Sequence, residues 1–183
     1  EEIVDQILNG RDVLAIMPTG AGKSLCYQVP ALLMSGITIV VSPLISLMID
    51  QVKALNEAGV HAAYINSALT ERQITKALEL AAAGRYKMIY VAPERLLTPR
   101  FLDFACHTEL SMMTIDEAHC ISQWGQDFRP SYVKITEFIR QLPRRPVVSA
   151  FTATATQKVR EDILEVLDLE SPYICLLYTS PSP

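Results

Sequence analysis

The segment MPTGAGKS, residues 17–24, constrains the fold of this chain more than any other feature. Two glycines beside a Lys-Ser pair let a short loop turn tightly with its backbone N–H groups pointing inward, which is how proteins cradle a phosphate. The apolar run VLAIMP precedes the loop and SLCYQVPALLM follows it, so we expect strand, loop and helix in the order that a phosphate-binding loop requires. Because Met17 stands where the strict motif begins with Gly, the prediction depends on this context.

The chemistry of the loop predicts which residues touch a nucleotide. Lys23 offers a point charge to the terminal phosphates, and the Ser24 hydroxyl is a ligand of the kind that Mg²⁺ takes. The positive end of the following helix adds to the attraction for phosphate. The residues predicted to bind the nucleotide are Thr19, Gly20, Ala21, Gly22, Lys23 and Ser24.

A second motif, TIDEAHC at residues 114–120, supplies the acidic half of such a site. The apolar residues before it indicate a buried strand that delivers Asp116 and Glu117 to its carboxyl end, where open α/β sheets bind ligands. We expect Asp116 to hold Mg²⁺ and Glu117 to orient or deprotonate the attacking water. A Gly-Lys-Ser triplet or an Asp-Glu pair alone is common by chance, and such a pair is usually a solvated turn. The two motifs together predict a site for ATP and Mg²⁺.

Short apolar runs that alternate with helical patterns predict an α/β fold with a mostly parallel sheet covered by helices on both faces. The predicted strands are VLAIM at 13, ITIVVS at 37, HAAYIN at 61, KMIYVA at 87, MMTID at 112 and PVVSAFTAT at 146. Thr70 and Gln73 form a predicted capping box, Gly59 and Gly84 are predicted to end helices, and Thr156 is a predicted cap. The length of 183 residues fits one domain.

Composition excludes several other classes of protein. The formal net charge of −4 argues against a broad basic surface, so any contact with nucleic acid has to be local. The four cysteines show no C-x-x-C spacing, so we expect reduced thiols and no zinc. No apolar run is long enough to span a bilayer, and the first residues have no signal-peptide pattern, so no membrane contact is predicted.

The last nine residues, CLLYTSPSP, differ in character from everything before them. One set of codons for this peptide resembles the transposon-end adapter of some sequencing libraries. We therefore expect residues 175–183 to be an adapter-derived tail outside the fold; a natural Pro/Ser-rich linker is the alternative.

With both nucleotide motifs in place, residues 1–174 resemble the first RecA-like domain of a RecQ-type DNA helicase. The resemblance is carried by GRDVL, SPLISLMIDQV, YVAPERL, SAFTATAT and above all WGQDFRP directly after DEAHC. It implies a RecA-like P-loop NTPase fold, truncated at its N-terminal edge before the adenine-recognising segment. It also implies a 3′ to 5′ ATP-dependent helicase, with a second RecA-like domain and its arginine finger missing from this chain.

The resemblance also implies roles for individual residues. His119 would link the metal site to the partner domain, and Thr152 and Thr154 would couple hydrolysis to domain movement. WGQDFRP would couple DNA binding to hydrolysis, although Gln126 stands where the family commonly has His. The residues implied to contact or sense single-stranded and duplex DNA are Ser42, Pro93, Glu94, Arg95, Trp124, Gln126, Phe128 and Arg129.

Trp124 is a separate case, because a lone Trp is usually a core residue. Its polar neighbours indicate an exposed loop instead. Two other functions stay open: a nucleotide-dependent translocase or switch that does not separate strands, and an inert non-enzymatic fragment. We expect the parent protein in the bacterial cytoplasm with the nucleoid, or in the nucleus if the source is eukaryotic.

Overall fold

The protein is described by a computed structural model that covers residues 2–18 and 22–177. The predicted loop residues Thr19, Gly20 and Ala21, and the tail from 178 onward, lie outside the described residues.

The described chain forms one seven-stranded sheet in which every paired strand is parallel, in the order β3-β4-β2-β5-β6-β1-β7. The strands are β1 (Val13–Ile16), β2 (Ile37–Val41), β3 (Ala62–Ile65), β4 (Met88–Val91), β5 (Leu110–Ile115), β6 (Val147–Thr152) and β7 (Tyr173–Leu176). The helices are α1 (Glu2–Leu8), α2 (Lys23–Leu33), α3 (Ile45–Glu57), α4 (Glu71–Ala82), α5 (Pro99–Cys106), α6 (Lys134–Gln141) and α7 (Gln157–Val166). All six predicted strands are present, and the predicted fold class is confirmed.

The two faces of the sheet carry two hydrophobic cores, because successive strand side chains point to opposite sides. In β1, Val13 and Ala15 pack with helices α1, α2 and α3, whereas Leu14 packs with helices α4 to α7. The other central strands alternate in the same way, so both faces are covered and each strand reads as a continuous apolar run.

The predicted helix boundaries follow from local chemistry. Thr70 caps α4 in a complete capping box, in which Thr70 Oγ1 accepts from Gln73 N and the Gln73 side chain accepts from Thr70 N. Thr156 caps α7 by accepting a hydrogen bond from Val159 N. Gly59 and Gly84 follow α3 and α4 with φ of 88° and 80°, a conformation that only glycine adopts freely.

The edge strand β7 was not predicted, and it corrects the treatment of the tail. Cys175 and Leu176 pair in parallel with Ala15 and Ile16 of β1, and Leu177 N donates to Ile16 O. The expectation that the chain leaves the fold at residue 175 is therefore wrong for residues 175–177. Strand pairing uses backbone groups that any sequence offers, so the adapter origin of residues 175–183 stays a prediction.

Among the described residues, no helix has the length and apolar character that crossing a membrane requires.

Candidate nucleotide site and coupling loop

Three strand ends bring the predicted site together at the carboxyl edge of the sheet. Lys23 and Ser24 begin α2 after β1, and Asp116 and Glu117 follow β5. Strand β6, which ends at Thr152, lies between β1 and β5 in the sheet. Open parallel sheets bind ligands at the carboxyl ends of their strands, and the topology places Lys23, Ser24 and the acidic motif at that same edge.

Gly22 sets the direction in which α2 leaves the loop. It occupies the N-cap position with φ of 75° and ψ of 27°, in the left-handed region. A residue with a Cβ is strained in that conformation, so the second loop glycine is required by the backbone.

Lys23 contacts both acidic residues of the second motif. Its Nζ lies 3.0 Å from Asp116 Oδ1 and 3.2 Å from Glu117 Oε1. Asp116 is only 3% exposed, so this carboxylate is removed from water and needs a nearby cation. The predicted phosphate-binding lysine and the predicted metal-binding carboxylate are therefore joined as an ion pair in this conformation.

The pKa values of this pair reflect burial as well as charge. Burial raises the pKa of the Asp116 carboxyl above its ordinary value of 3.8, and the neighbouring Lys23 offsets only part of that effect. Burial alone would lower the pKa of Lys23, but the charges of Asp116 and then Glu117 outweigh it, and the net direction is upward. Both pKa shifts indicate that the Asp116 carboxylate has lost its contact with water and that Lys23 compensates for this loss only in part.

Glu117 has a backbone conformation that orients the start of the next segment. Its φ of 51° is in the left-handed region, uncommon for a residue with a side chain, and its N–H donates to Asp116 Oδ1 at 2.9 Å. Non-glycine residues in this region cluster at functional sites, where the surrounding structure holds them. A 3₁₀ turn, Ala118–Ile121, follows directly.

His119 joins the acidic motif to the end of β6. Its Nδ1 lies 2.8 Å from the buried Thr152 Oγ1 and 3.6 Å from Glu117 Oε2. Thr152 Oγ1 in turn donates to Thr154 O at 3.1 Å. One chain of hydrogen bonds thus links the residues to which the resemblance assigns a coupling role, His119, Thr152 and Thr154. Their positions in the sequence alone gave no reason to expect direct contact.

Tyr132 and Cys120 were not predicted as parts of the site. The buried Tyr132 hydroxyl donates to Asp116 O at 2.8 Å, which ties the far end of the WGQDFRP loop to the acidic motif. Burial, followed by the charge of Asp127, raises the pKa of the Cys120 thiol to about 12, so this cysteine stays protonated at neutral pH. The repeated aromatic residues of the loop were the only sequence signal that could have identified Tyr132.

The WGQDFRP loop is exposed where the sequence indicated that it would be. Trp124 is 67% exposed, Gln126 is exposed, and Phe128 is half-buried. Arg129 is held at the surface by Asp127, with Nε and Nη2 each 3.2 Å from Asp127 Oδ2. Trp124 is therefore outside the core, and its contact with DNA stays a prediction.

The remaining predicted DNA contacts differ in accessibility. Ser42 is 3% exposed, and its Oγ has no hydrogen-bond partner within the described residues, so in this conformation it cannot reach a DNA strand. Pro93 is buried and shapes the 3₁₀ turn Pro93–Arg95, whereas Glu94 is exposed. Arg95 Nη1 lies 3.6 Å from Glu71 Oε1, so the turn is attached to α4.

A cavity of about 510 Å³ lies away from this site, at the opposite edge of the sheet, where it is lined in part by Leu33, Glu109 and Arg144. No described residue of the two motifs lines this cavity. The candidate nucleotide site is therefore assigned because the loop and the two carboxylates meet at the carboxyl ends of the strands.

Comparison with known proteins shows which family the chain resembles. The DEAD/DEAH box helicase family matches residues 1–163. The chain is 51% identical over 160 residues to the ATP-dependent DNA helicase RecQ of Bacillus subtilis (strain 168), covering 87% of this chain and 27% of that protein. It is 48% identical over 177 residues to ATP-dependent DNA helicase Q-like 2 of Arabidopsis thaliana, covering 92% of this chain and 25% of that protein.

Solved structures show the same fold at lower identity. The helicase domain of Hef from Pyrococcus furiosus superposes with a TM-score of 0.71 at 20% identity, over 96% of this chain and 36% of that one. A hypothetical ATP-dependent RNA helicase from Sulfolobus tokodaii gives a TM-score of 0.73 at 18% identity, over 96% of this chain and 51% of that one. These similarities are evidence for a RecA-like helicase fold.

The chain spans about a quarter of the length of the RecQ relatives that it matches. The resemblance to RecQ-type helicases is confirmed by these relatives, which are 44–51% identical over most of the chain. The chain belongs to the DEAD/DEAH box helicase family.

Proposed function

We propose that this chain is the nucleotide-binding part of a RecQ-like, ATP- and Mg²⁺-dependent DNA helicase that moves 3′ to 5′ along single strands. The observation that carries the proposal is the contact of Lys23 Nζ with both Asp116 and Glu117, at 3.0 and 3.2 Å. A lysine that bridges two acidic residues at the mouth of a glycine loop has the charge and the position to exchange carboxylates for phosphates.

The donor set fits a hard divalent cation. Asp116 supplies a buried carboxylate whose charge Lys23 only partly balances, and Ser24 supplies a half-buried hydroxyl at the start of α2. Oxygen ligands of this kind suit Mg²⁺, which keeps several waters and is shared with substrate phosphates. When bound, Mg²⁺ would neutralise charge on the phosphate oxygens during transfer.

Binding of ATP would free the general base. With phosphate present, Lys23 has a stronger anionic partner, and Glu117 loses its contact with Nζ. Its carboxylate can then accept a proton from a water that attacks the γ-phosphorus, while the bond from phosphorus to the departing ADP oxygen breaks. His119 and Thr152 would carry the change in Glu117 to β6.

The single strand would be held mainly through its phosphates and sensed by aromatic stacking. A net charge of −4 and an exposed Trp124 favour local contacts over a broad basic surface. Duplex DNA ahead of the strand is the proposed substrate for separation.

The test is the ATPase rate of the full-length protein against single-strand concentration, together with unwinding of a duplex that has a 3′ single-stranded tail. We expect DNA-stimulated hydrolysis and unwinding in the wild type, and loss of both in Glu117→Gln with nucleotide binding retained. Trp124→Ala should keep basal hydrolysis and lower its stimulation, since stacking on one aromatic is worth about 1–3 kcal/mol. Hydrolysis without unwinding would favour a translocase or switch, and no nucleotide binding at all would favour an inert fragment.

A further inference from the structure

Helix α7 contacts Ser122 and Trp124, where the WGQDFRP loop begins, through two side chains one helical turn apart. Lys158 and Asp162 occupy positions i and i+4, so they project from the same face of the helix. Lys158 Nζ lies over the ring of Trp124, 5.2 Å from its centroid. Asp162 Oδ2 accepts a hydrogen bond of 2.7 Å from Ser122 Oγ.

The contact with Asp162 fixes the backbone beside Trp124. Ser122 is fully buried, and its Oγ accepts from Trp124 N at 3.1 Å while it donates to Asp162. The hydroxyl therefore has one defined orientation, with both its donor and acceptor functions used. Without Asp162, this buried hydroxyl would lose its hydrogen-bond acceptor. Residues 122–125, here called the Trp124 turn, would then lose their hydrogen bond to α7.

The same turn is packed against the acidic motif. Gly125 N donates to Ser122 O, and a Cβ at Gly125 would lie 2.8 Å from His119 O, so only glycine permits this approach. His119 contacts Glu117 and Thr152 with its ring. A movement of the Trp124 turn therefore changes the packing of the residue that touches the general base.

Lys158 covers a face of an otherwise exposed indole ring. A nucleic-acid base stacks on such a ring through the same face that a cation uses, because both are attracted to its π-surface. A base that stacks on that face has to displace the lysine.

We propose that Lys158 and Asp162 are positioning residues that hold the Trp124 turn in a resting conformation, and that Lys158 occupies the ring face on which a DNA base stacks. DNA binding then replaces the Lys158 contact and releases the turn towards His119. The second half of this inference rests on the proposed DNA-binding function, whereas the first half depends only on the contacts described above.

The chain contains one tryptophan, so its fluorescence reports on this turn alone. We would measure time-resolved fluorescence anisotropy of Trp124 in the free 183-residue protein. Lys158→Ala and Ser122→Ala should both increase the amplitude of fast local motion, and Asp162→Asn should do so to a smaller extent. Lys158→Arg keeps a cation over the ring and should restore the wild-type decay. Circular dichroism verifies that each variant is folded.

The competition with a base is tested by titrating an unstructured oligothymidylate at about 0.3 M salt, where phosphate attraction is screened. Lys158→Ala should bind about two- to fivefold more tightly than wild type, the factor that corresponds to one exposed cation–π contact. The control is Lys76→Ala, an exposed lysine on α4, which packs against the edge strand β3, and this variant should bind like wild type.

Unchanged anisotropy in both Lys158→Ala and Ser122→Ala would overturn the positioning role. Weaker or equal oligonucleotide binding by Lys158→Ala would overturn the competition and make Lys158 an ordinary phosphate contact or a bystander. If no protein in the series binds the oligonucleotide, the competition fails together with DNA binding by this chain, and the anisotropy result still decides the positioning role.

Discussion

Replacing Lys23 by Met should destabilise the nucleotide-free protein, because it leaves the buried Asp116 carboxylate without the cation that contacts it at 3.0 Å. Removing one partner of a buried ion pair typically costs about 3–5 kcal/mol. Asp116 can escape part of this penalty by taking up a proton. At pH 7, protonating a carboxyl with an ordinary pKa of 3.8 costs about 4.4 kcal/mol, which is the upper limit. Since Lys23 retains some exposure, we expect a loss of about 2–4 kcal/mol.

The pH dependence provides a sharper signature than the magnitude. In the variant, the folded-state pKa of Asp116 lies above its unfolded value, so the folded state binds more protons and stability falls as pH rises through that range. At pH 5 the upper limit on the stability loss falls to about 1.6 kcal/mol, because protonating the Asp116 carboxyl costs less at lower pH. In the wild type the raised pKa of Lys23 has the same sign at higher pH: its contribution to stability is complete below 10.5 and disappears as pH rises through its higher folded-state pKa.

The assay is urea unfolding of wild type, Lys23→Met, Asp116→Asn and the double variant at pH 5 and pH 7. The double variant should recover most of the loss, since it has no unpaired charge to bury. Arg100→Met is the control, because the Arg100–Glu71 pair is exposed and such pairs contribute about 0–1 kcal/mol. If Lys23→Met unfolds like wild type at pH 7, the lysine does not balance Asp116 and the reasoning is refuted.

Three further predictions concern the stability of the fold, at Asp12, at Gly22 and at the last residues of the chain. Asp12→Ala should lower the unfolding free energy by about 3–5 kcal/mol in urea, because the buried carboxylate pairs with Arg145 at 2.7 Å and accepts two backbone N–H groups; an effect below 1 kcal/mol would contradict this. Gly22→Ala should cost about 1–2 kcal/mol from its φ of 75°, and equal melting midpoints would disprove the strain. Deleting residues 178–183 should leave the melting midpoint unchanged, whereas also deleting 175–177 should lower it by roughly 2–4 °C for about 1 kcal/mol; equal midpoints would show that the pairing contributes nothing.

Local patterns predicted most of the fold. The six strands, the capping box at Thr70 and the glycine ends of two helices follow from apolar runs and turn chemistry that act within a few residues. Strand β7 was missed because an edge strand has weak side-chain requirements, and the character of its last residues pointed away from the fold. The order of strands could not be read from the chain, although it places Thr152 between the two motifs.

The sequence predicted which residues belong to the candidate site, but it did not predict how they contact one another. Motif chemistry predicted Lys23, Asp116 and Glu117 as site residues, and the structure brings these side chains together. Their mutual ion pairing depends on how α2 leaves β1. The burial of Ser42 and the contact of Lys158 with Trp124 join segments far apart in sequence, and neither leaves a local pattern. The roles of the predicted DNA-contacting residues, the origin of the tail and the cellular location stay predictions.

The central claim is that Lys23 exchanges its two carboxylates for the phosphates of ATP. Isothermal titration calorimetry of Mg-ATP and Mg-ADP into wild type, Lys23→Met and Arg100→Met tests it most directly, with circular dichroism to verify folding. We predict weak but measurable binding by wild type and Arg100→Met, and none by Lys23→Met. Equal affinity of wild type and Lys23→Met for both nucleotides would contradict the claim, because the lysine would then have no part in phosphate binding.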